Sequence, residues 1–272
     1  ILRDAAGRPT GVLVDRAVDL VGEVVPGPDA AEIRRRILLA QEHAVRHGLT
    51  AVHEMGATWE KVTAYRELHA AGELALRLHV FLEDDPATLD RGLAAGPVVT
   101  ADRMLQVRGV KLYADGALGS RGAWLLADYH DRPGHRGLQV TSLAHLRAVC
   151  ARAAAAGFQV ATHAIGDAAN RRVLDLYAEF PPGVRAAQRW RIEHAQILTP
   201  ADIPRFAALG VIAAMQPVHC TSDMDWADDR LGPGRLAGAY AWRSLADSGA
   251  VVCLGTDAPV EAGLDDWWGL GC

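Results

Sequence analysis

The sequence predicts an α/β fold of repeated parallel strand–helix units, a (β/α)8 barrel of the TIM type that is incomplete. Three observations predict it. Apolar runs of strand length alternate with amphipathic helical stretches almost from end to end, the mark of parallel βα units. Glycines stand where helices give way to strands, a place that favours a left-handed residue. Polar, chemistry-bearing side chains recur at strand ends, where such a barrel keeps its pocket. The 272 residues suit a single domain 1–272, since barrels of this kind occupy ~250 residues.

Taken in order, a helix over Ala30–His47 places Ile33, Ile37, Leu38 and Ala40 at helical spacing, and Gly48 leads into a strand over Leu49–Met55. A helix over Thr58–Ala71, a strand over Leu76–Leu82 and a helix over Pro86–Ala94 follow. The next strand, Val107–Tyr113, is separated from its helix, Ser142–Ala156, by a long connection. Within that connection Ala123–Gln139, with Asp131, Pro133, Gly134 and Gly137, is too long and turn-rich for a minimal link. It reads as an inserted loop over the site. Gly157 introduces the strand Phe158–Ala164 and the helix Asp167–Phe180; the strand Trp190–Ala195 precedes a helix over Pro200–Leu209. For that helix Thr199 suits the N-cap and Pro200 the first turn. Gly210 introduces the strand Val211–Gln216, and a helix over Leu236–Ser248 precedes the last strand, Val251–Thr256. Seven units are visible where a closed barrel has eight, and the deficit lies at the start.

Composition narrows the function classes. Half the residues are hydrophobic and 22% are charged, the balance of an ordinary globular protein. A net charge of -5 without a basic stripe argues against a nucleic-acid partner. No apolar run approaches the ~20 residues that span a bilayer. Cys150, Cys220, Cys253 and Cys272 lie far apart with no C-x-x-C pair, which suits reduced thiols and a cytoplasmic location. The start, Ile1-Leu2-Arg3-Asp4, is neither an initiator Met nor a signal peptide, so the chain is expected to be cut from something longer.

Four strand ends carry candidate chemistry. Lys111 lies in Gly109–Gly116, His163 ends Ala161-Thr162-His163, His194 ends Arg191-Ile192-Glu193-His194, and Asp257 follows Leu254-Gly255-Thr256. Neutral imidazole is a common ligand for zinc and related divalent ions, and copies from neighbouring strands converge in a barrel mouth. A carboxylate on the last strand can bind the ion and move a proton. Lysine ammonium cannot bind a cation, but a buried amine of lowered pKa can take up carbon dioxide as a bridging carbamate. Lys61 and Lys111 are the only lysines in the chain. The alternative for each is structural: a strand-end His held by hydrogen bonds, or Lys111 paired with a carboxylate such as Asp115. His219, in Met215-Gln216-Pro217-Val218-His219, follows a strand and could meet substrate or leaving group, or be an ordinary loop residue. Asp115, Ser120 and Arg121 occupy a glycine-punctuated loop that could approach a ligand or simply turn. His43, His47, His69 and His145 fall in helices and read as solvated; His53 and His79, in strands, carry no assignment. No P-loop, dinucleotide fingerprint or G-x-S-x-G elbow follows a strand.

These motifs resemble the amidohydrolase superfamily, and its family 3 branch with N-substituted formamide deformylase-like enzymes in particular. The resemblance runs from Gly11-Val12-Leu13 and Leu49–Gly56 through Val110–Arg121, Thr162–Asp167, Ile192–Gln196 and Met215–His219 to Gly255–Glu261. It implies that Lys111 is the strand-four lysine, open to carbamylation, that His163 and His194 are the strand-five and strand-six metal ligands, and that Asp257 is the strand-eight ligand and general base. It also implies an H-x-H pair on a first strand and a small β-sandwich, neither of which this chain shows. Trp267–Cys272 stops where the family continues into a final helix.

The function so implied is hydrolysis of a non-peptide carbon–nitrogen bond in a small amide, formamide or cyclic amide. One or two divalent ions, zinc by preference, would activate water and polarise the carbonyl, Asp257 would pass the proton to the departing nitrogen, and His219 would assist substrate binding. The alternative is a catalytically inactive barrel fragment or a binding or regulatory module. Two unpaired strand edges are expected to lower stability or to drive self-association into a homo-oligomer.

Overall fold

Seven parallel strands lie side by side in the order of the sequence in the computed structural model, which describes residues 1–260. After a 3-10 turn, Asp15–Val18, come α1 (Asp19–Gly22), α2 (Ala30–Arg46), β1 (Ala51–Ala57), α3 (Trp59–Ala70), β2 (Arg77–Leu82) and α4 (Pro86–Ala95). A two-residue strand, β3 (Val98–Val99), runs antiparallel to β4 (Leu105–Tyr113). Then follow α5 (Leu143–Ala156), β5 (Gln159–Ala164), α6 (Asp167–Ala178), α7 (Pro182–Gln188) and β6 (Arg191–His194). The last part holds α8 (Ile203–Leu209), β7 (Ile212–Met215), α9 (Pro217–Asp223), α10 (Ala227–Leu231), α11 (Trp242–Asp247) and β8 (Val252–Leu254). The main sheet is ordered β1-β2-β4-β5-β6-β7-β8, so β1 and β8 are its two edges.

The sheet is rolled into an open barrel. Arg191 on β6 donates to His53 on β1 at 2.9 Å, although three strands separate them along the sheet. Only curvature brings those two residues together. The anticipated βα alternation is therefore present, with one strand fewer than a closed barrel.

Local chemistry explains most boundaries. Asp29, Thr58, Asp85 and Ser142 each accept a backbone N–H from the first turn of α2, α3, α4 and α5, satisfying donors that a helix start leaves orphaned. Gly157 and Gly210 end α5 and α8 in the left-handed region, at φ 81° and 66°, as their positions before strands require.

Two helices differ from the sequence reading. The stretch Pro200–Leu209 forms helix only from Ile203. Thr199 Oγ1 donates to Asp202 Oδ2 at 2.7 Å and the Asp202 amide to the Thr199 carbonyl, so the would-be cap closes a turn instead, and Pro204 takes the first-turn place. Leu236–Ser248 is broken: a 3-10 turn covers Pro233–Gly238, and α11 starts only at Trp242. Between them Tyr240 sits at φ 50°, a conformation no helix accommodates. The short helices α7, α9 and α10 were not anticipated, because each has too few turns to show a period.

The core is one large cluster under the helices, with Val80, Val110, Val160, Ile192 and Ala213 from the strands and Val62, Leu146, Val173 and Phe206 from the helices. Trp190 is fully buried and meets Tyr177 edge-on at 4.9 Å, an arrangement that suits ring quadrupoles. A second, smaller cluster joins Leu118, Ala123, Leu125 and Tyr129 to Ile165, Ile197, Ala227 and Leu231. The 116–140 connection thus has a hydrophobic core of its own, on the side where the strands end. Added side-chain carbon at Gly137 would collide with the Ala123 carbonyl, and at Gly166 with that of Trp124. These glycines let backbone meet backbone.

No helix among the described residues is long and apolar enough to cross a membrane. Cys150 and Cys253 are free thiols. Cys272 and the expected continuation at Trp267–Cys272 lie outside the described residues.

Candidate metal centre

The register of the parallel strands carries the candidate residues to one place. Tyr113 pairs with His163, and Ala164 with His194, across β4, β5 and β6. The rings of His163 and His194 are 4.6 Å apart, and those of His194 and His219 5.5 Å apart. His219 Nε2 lies 3.6 Å from Asp257 Oδ2. His194, His219 and Asp257 each offer a ligand atom, and these atoms all lie within 4.8 Å of one another.

Backbone geometry aims two of these groups. His194 (φ 73°), Ala195 (φ 43°) and Asp257 (φ 55°) are non-glycine residues in the left-handed region, each of which costs roughly 1–3 kcal/mol and persists only where surrounding structure enforces it. His194 is the last residue of β6, and Asp257 lies three residues beyond β8. His219 sits within α9, which begins directly after Gln216 with Pro217 in its first turn.

Two buried polar residues fix the loops that carry the site. Asp115 accepts the amides of Trp124, Ile165 and Gly166 at 2.8–3.0 Å. Asn170 Nδ2 donates to the carbonyls of Ala164 and Gly166 at 3.0 Å, with Ile165 and Ile197 close by. One gathers donors and the other acceptors, and together they tie the ends of β4, β5 and β6. Asp115 therefore does not neutralise Lys111, and no ion pair joins the two among the described residues. Arg121 is also turned away, forked onto Asp131 at 2.7 and 3.1 Å, and Ser120 caps the Ala117 carbonyl.

Electrostatics favour cation ligation. Burial, then the charge of Lys111, pushes the His163 imidazole down to about 3. Burial, with His163 and Lys111, drives His194 well below its ordinary value. Both rings are then neutral at physiological pH, with a lone pair free for a ligand. His194 Nδ1 meets Gln216 Oε1 at 2.8 Å while Gln216 Nε2 donates to the Ala214 carbonyl, so the His194 proton sits on Nδ1 and Nε2 is the open nitrogen. His163 Nε2 is buried and makes no hydrogen bond, and it lies 3.4 Å from Asp115 Oδ1, so it stands at the edge of the group rather than within it. Burial raises the Asp257 carboxyl, but the hydrogen bond of His219 and nearby positive charge, Lys111 included, overcome this and hold it below the usual range.

Lys111 is 4% exposed and sits over the Tyr113 ring at 4.5 Å. Burial lowers its ammonium to about 8, against the opposing charges of Glu193 and Asp257. A fraction is a free amine near neutrality, the form carbamylation requires. The candidate set thus fits a divalent ion, with His194, His219 and Asp257 as the tightest group and His163 and Lys111 beside it. Sequence reading gave His219 a substrate role and overlooked Gln216, although Gln216 directly follows a strand, the one signal that could have drawn notice.

Comparison with known proteins follows this geometry. Residues 1–271 match the model of the amidohydrolase family. The YtcJ protein of Bacillus subtilis is 34% identical over 96% of this chain and 49% of its own length. The N-substituted formamide deformylase of Arthrobacter pascens is 26% identical over 95% of this chain and 49% of its own. An uncharacterised metal-dependent hydrolase from Pyrococcus horikoshii superposes with a TM-score of 0.80 at 30% identity, over 91% of this chain and 49% of that one. The chain spans about half the length of the relatives it matches. It belongs to the amidohydrolase family, in its family 3 branch.

Proposed function

We propose that this chain holds the metal-binding part of a hydrolase that cleaves a non-peptide carbon–nitrogen bond in a small amide, formamide or cyclic amide. The observation that carries it is the convergence of His194, His219 and Asp257, with neutral His163 and buried Lys111 alongside. His163, His194, His219 and Asp257 would hold a divalent ion, zinc by its preference for imidazole and carboxylate, with Lys111 joining as a carbamate. Once bound, such an ion supplies activation of water and polarisation of a carbonyl. Gln216 keeps His194 in the tautomer that presents Nε2. Asp257, a carboxylate 29% exposed and 3.6 Å from His219, accepts a proton and returns it to the leaving nitrogen. The formamide name of one relative and the family's own name support the bond class.

The free thiols of Cys150 and Cys253 support a reducing, cytoplasmic setting, and the edges of β1 and β8 are where copies of the chain would associate. Elemental analysis after purification without chelator tests the site: about one zinc per chain is expected, falling to near zero in His194→Asn. Asp257→Asn in the full-length protein should lower turnover of N-substituted formamides or cyclic amides by about a thousandfold. The half-length coverage of the relatives favours a second reading, a catalytically silent barrel piece. Absence of metal from the wild-type chain would select that reading.

A further inference from the structure

The opposite end of the barrel holds a cavity of about 260 Å³, lined among others by His53, His79, Arg108, Gln159, Arg189 and Arg191. These residues lie in the N-terminal halves of their strands or just before them: His53 and His79 are third in β1 and β2, Arg108 is fourth of nine in β4, Gln159 and Arg191 are first in β5 and β6, and Arg189 stands two residues before β6. The cavity therefore opens at the N-terminal face, away from His194 and Asp257.

Its chemistry is one-sided. Three guanidiniums line it, and no Asp or Glu is among the described lining residues. Glu193 answers only Arg191, at 2.5 Å. Arg191 also donates to His53 Nδ1 at 2.9 Å; since a guanidinium only donates, Nδ1 is the acceptor and His53 carries its proton on Nε2, as a further donor. His79 Nε2 is buried without a hydrogen-bond partner. Gln159 anchors Arg189 by donating to its carbonyl, where the backbone is left-handed at φ 57°. That leaves the cavity rich in donors and positive charge and poor in acceptors. What complements it is a compact oxyanion, whose several lone pairs accept from forked guanidiniums and neutral imidazoles together.

We infer that this N-terminal cavity binds a small phosphate or carboxylate anion, with Arg108 and Arg189 as its principal recognition groups. The inference does not rest on the metal centre. Calorimetric titration of the chain with inorganic phosphate, at ionic strength held constant with chloride, tests it, and succinate replaces phosphate in a second arm. Saturable one-site binding is expected in at least one arm, and the tighter arm identifies the ligand as phosphate-like or carboxylate-like. Arg108→Gln/Arg189→Gln should weaken it at least tenfold, whereas His219→Asn should leave it unchanged. The double variant must match the wild type in circular dichroism and melting for the comparison to count; a single Arg108→Gln, also expected to weaken binding, covers the case where it does not. The inference is overturned by absence of saturation beyond the chloride control, by undiminished affinity in the arginine variants, or by loss of binding in His219→Asn, which would place the anion at the other mouth.

Discussion

The two mouths of this open barrel are built from the same strands and have opposite chemistry. Where the strands end, imidazoles and a carboxylate converge; where they begin, guanidiniums present protons. A buried ion pair joins Arg191, which lines the N-terminal cavity, to Glu193. Glu193 faces the charge of Lys111 on one side, and Arg191 reaches His53 and the Phe81 ring on the other. The lesson is that a barrel axis need not be an apolar plug: a paired charge in its middle lets each end keep its own sign.

The largest effect should come from that pair. Arg191→Met leaves buried Glu193 without its ion-pair partner and facing only the charge of Lys111, and a loss of about 3 kcal/mol in denaturant unfolding is expected; adding Glu193→Gln should restore much of it. A single variant costing under about 1 kcal/mol would show that the two ends are not joined in this way. Next in size, chelator should lower the melting temperature of metal-loaded chain, since a ligand at a hundred times its dissociation constant stabilises by about 2.7 kcal/mol. Phosphate affinity at the other mouth should not follow, and any coupled change would break the comparison. Smaller still, Gln216→Leu frees the His194 tautomer and should weaken zinc binding about 10- to 100-fold, read by competition with a chromophoric chelator.

The smallest effect concerns pH. Burial, and then nearby positive charge, lowers His53 to about 4 and His79 to about 3, from an ordinary 6.5. The unfolded chain takes up protons below 6.5 while the folded chain does not, so stability is full above pH 6.5 and declines as pH falls through the window toward 4. His79→Phe, in a ring position already stacked on Phe81 at 4.7 Å, should flatten that decline without lowering stability at pH 7. An unchanged slope would mean that His79 is charged in the folded chain.

Sequence made the C-terminal mouth legible because its chemistry is repeated: Lys111, His163, His194 and Asp257 occur at equivalent ends of a repeating unit, and the repeat itself gives the strand order. The N-terminal mouth was opaque for a physical reason. His53 and Arg191 are 138 residues apart, and alternation along a strand says which face a residue occupies but not which distant strand it meets across a curved sheet. The role of Asp115 was hidden for a related reason: a carboxylate four residues from Lys111 offers itself as an alternative partner, whereas it accepts backbone amides of residues 124, 165 and 166 and lies 3.4 Å from His163 Nε2, which no side-chain pattern reveals. The helix ends at Thr199 and Leu236 failed because a local turn and a left-handed Tyr240 overrode good helix formers.

The strand order has a consequence for how the molecule is made. Every parallel strand pairs with the one before it in the chain, so no pairing waits for a distant partner and loop-closure costs stay modest. A chain leaving the ribosome can add each βα unit to an existing edge as it appears, and the growing sheet presents the same kind of edge at every stage. Growth of this kind needs no closed ring to begin.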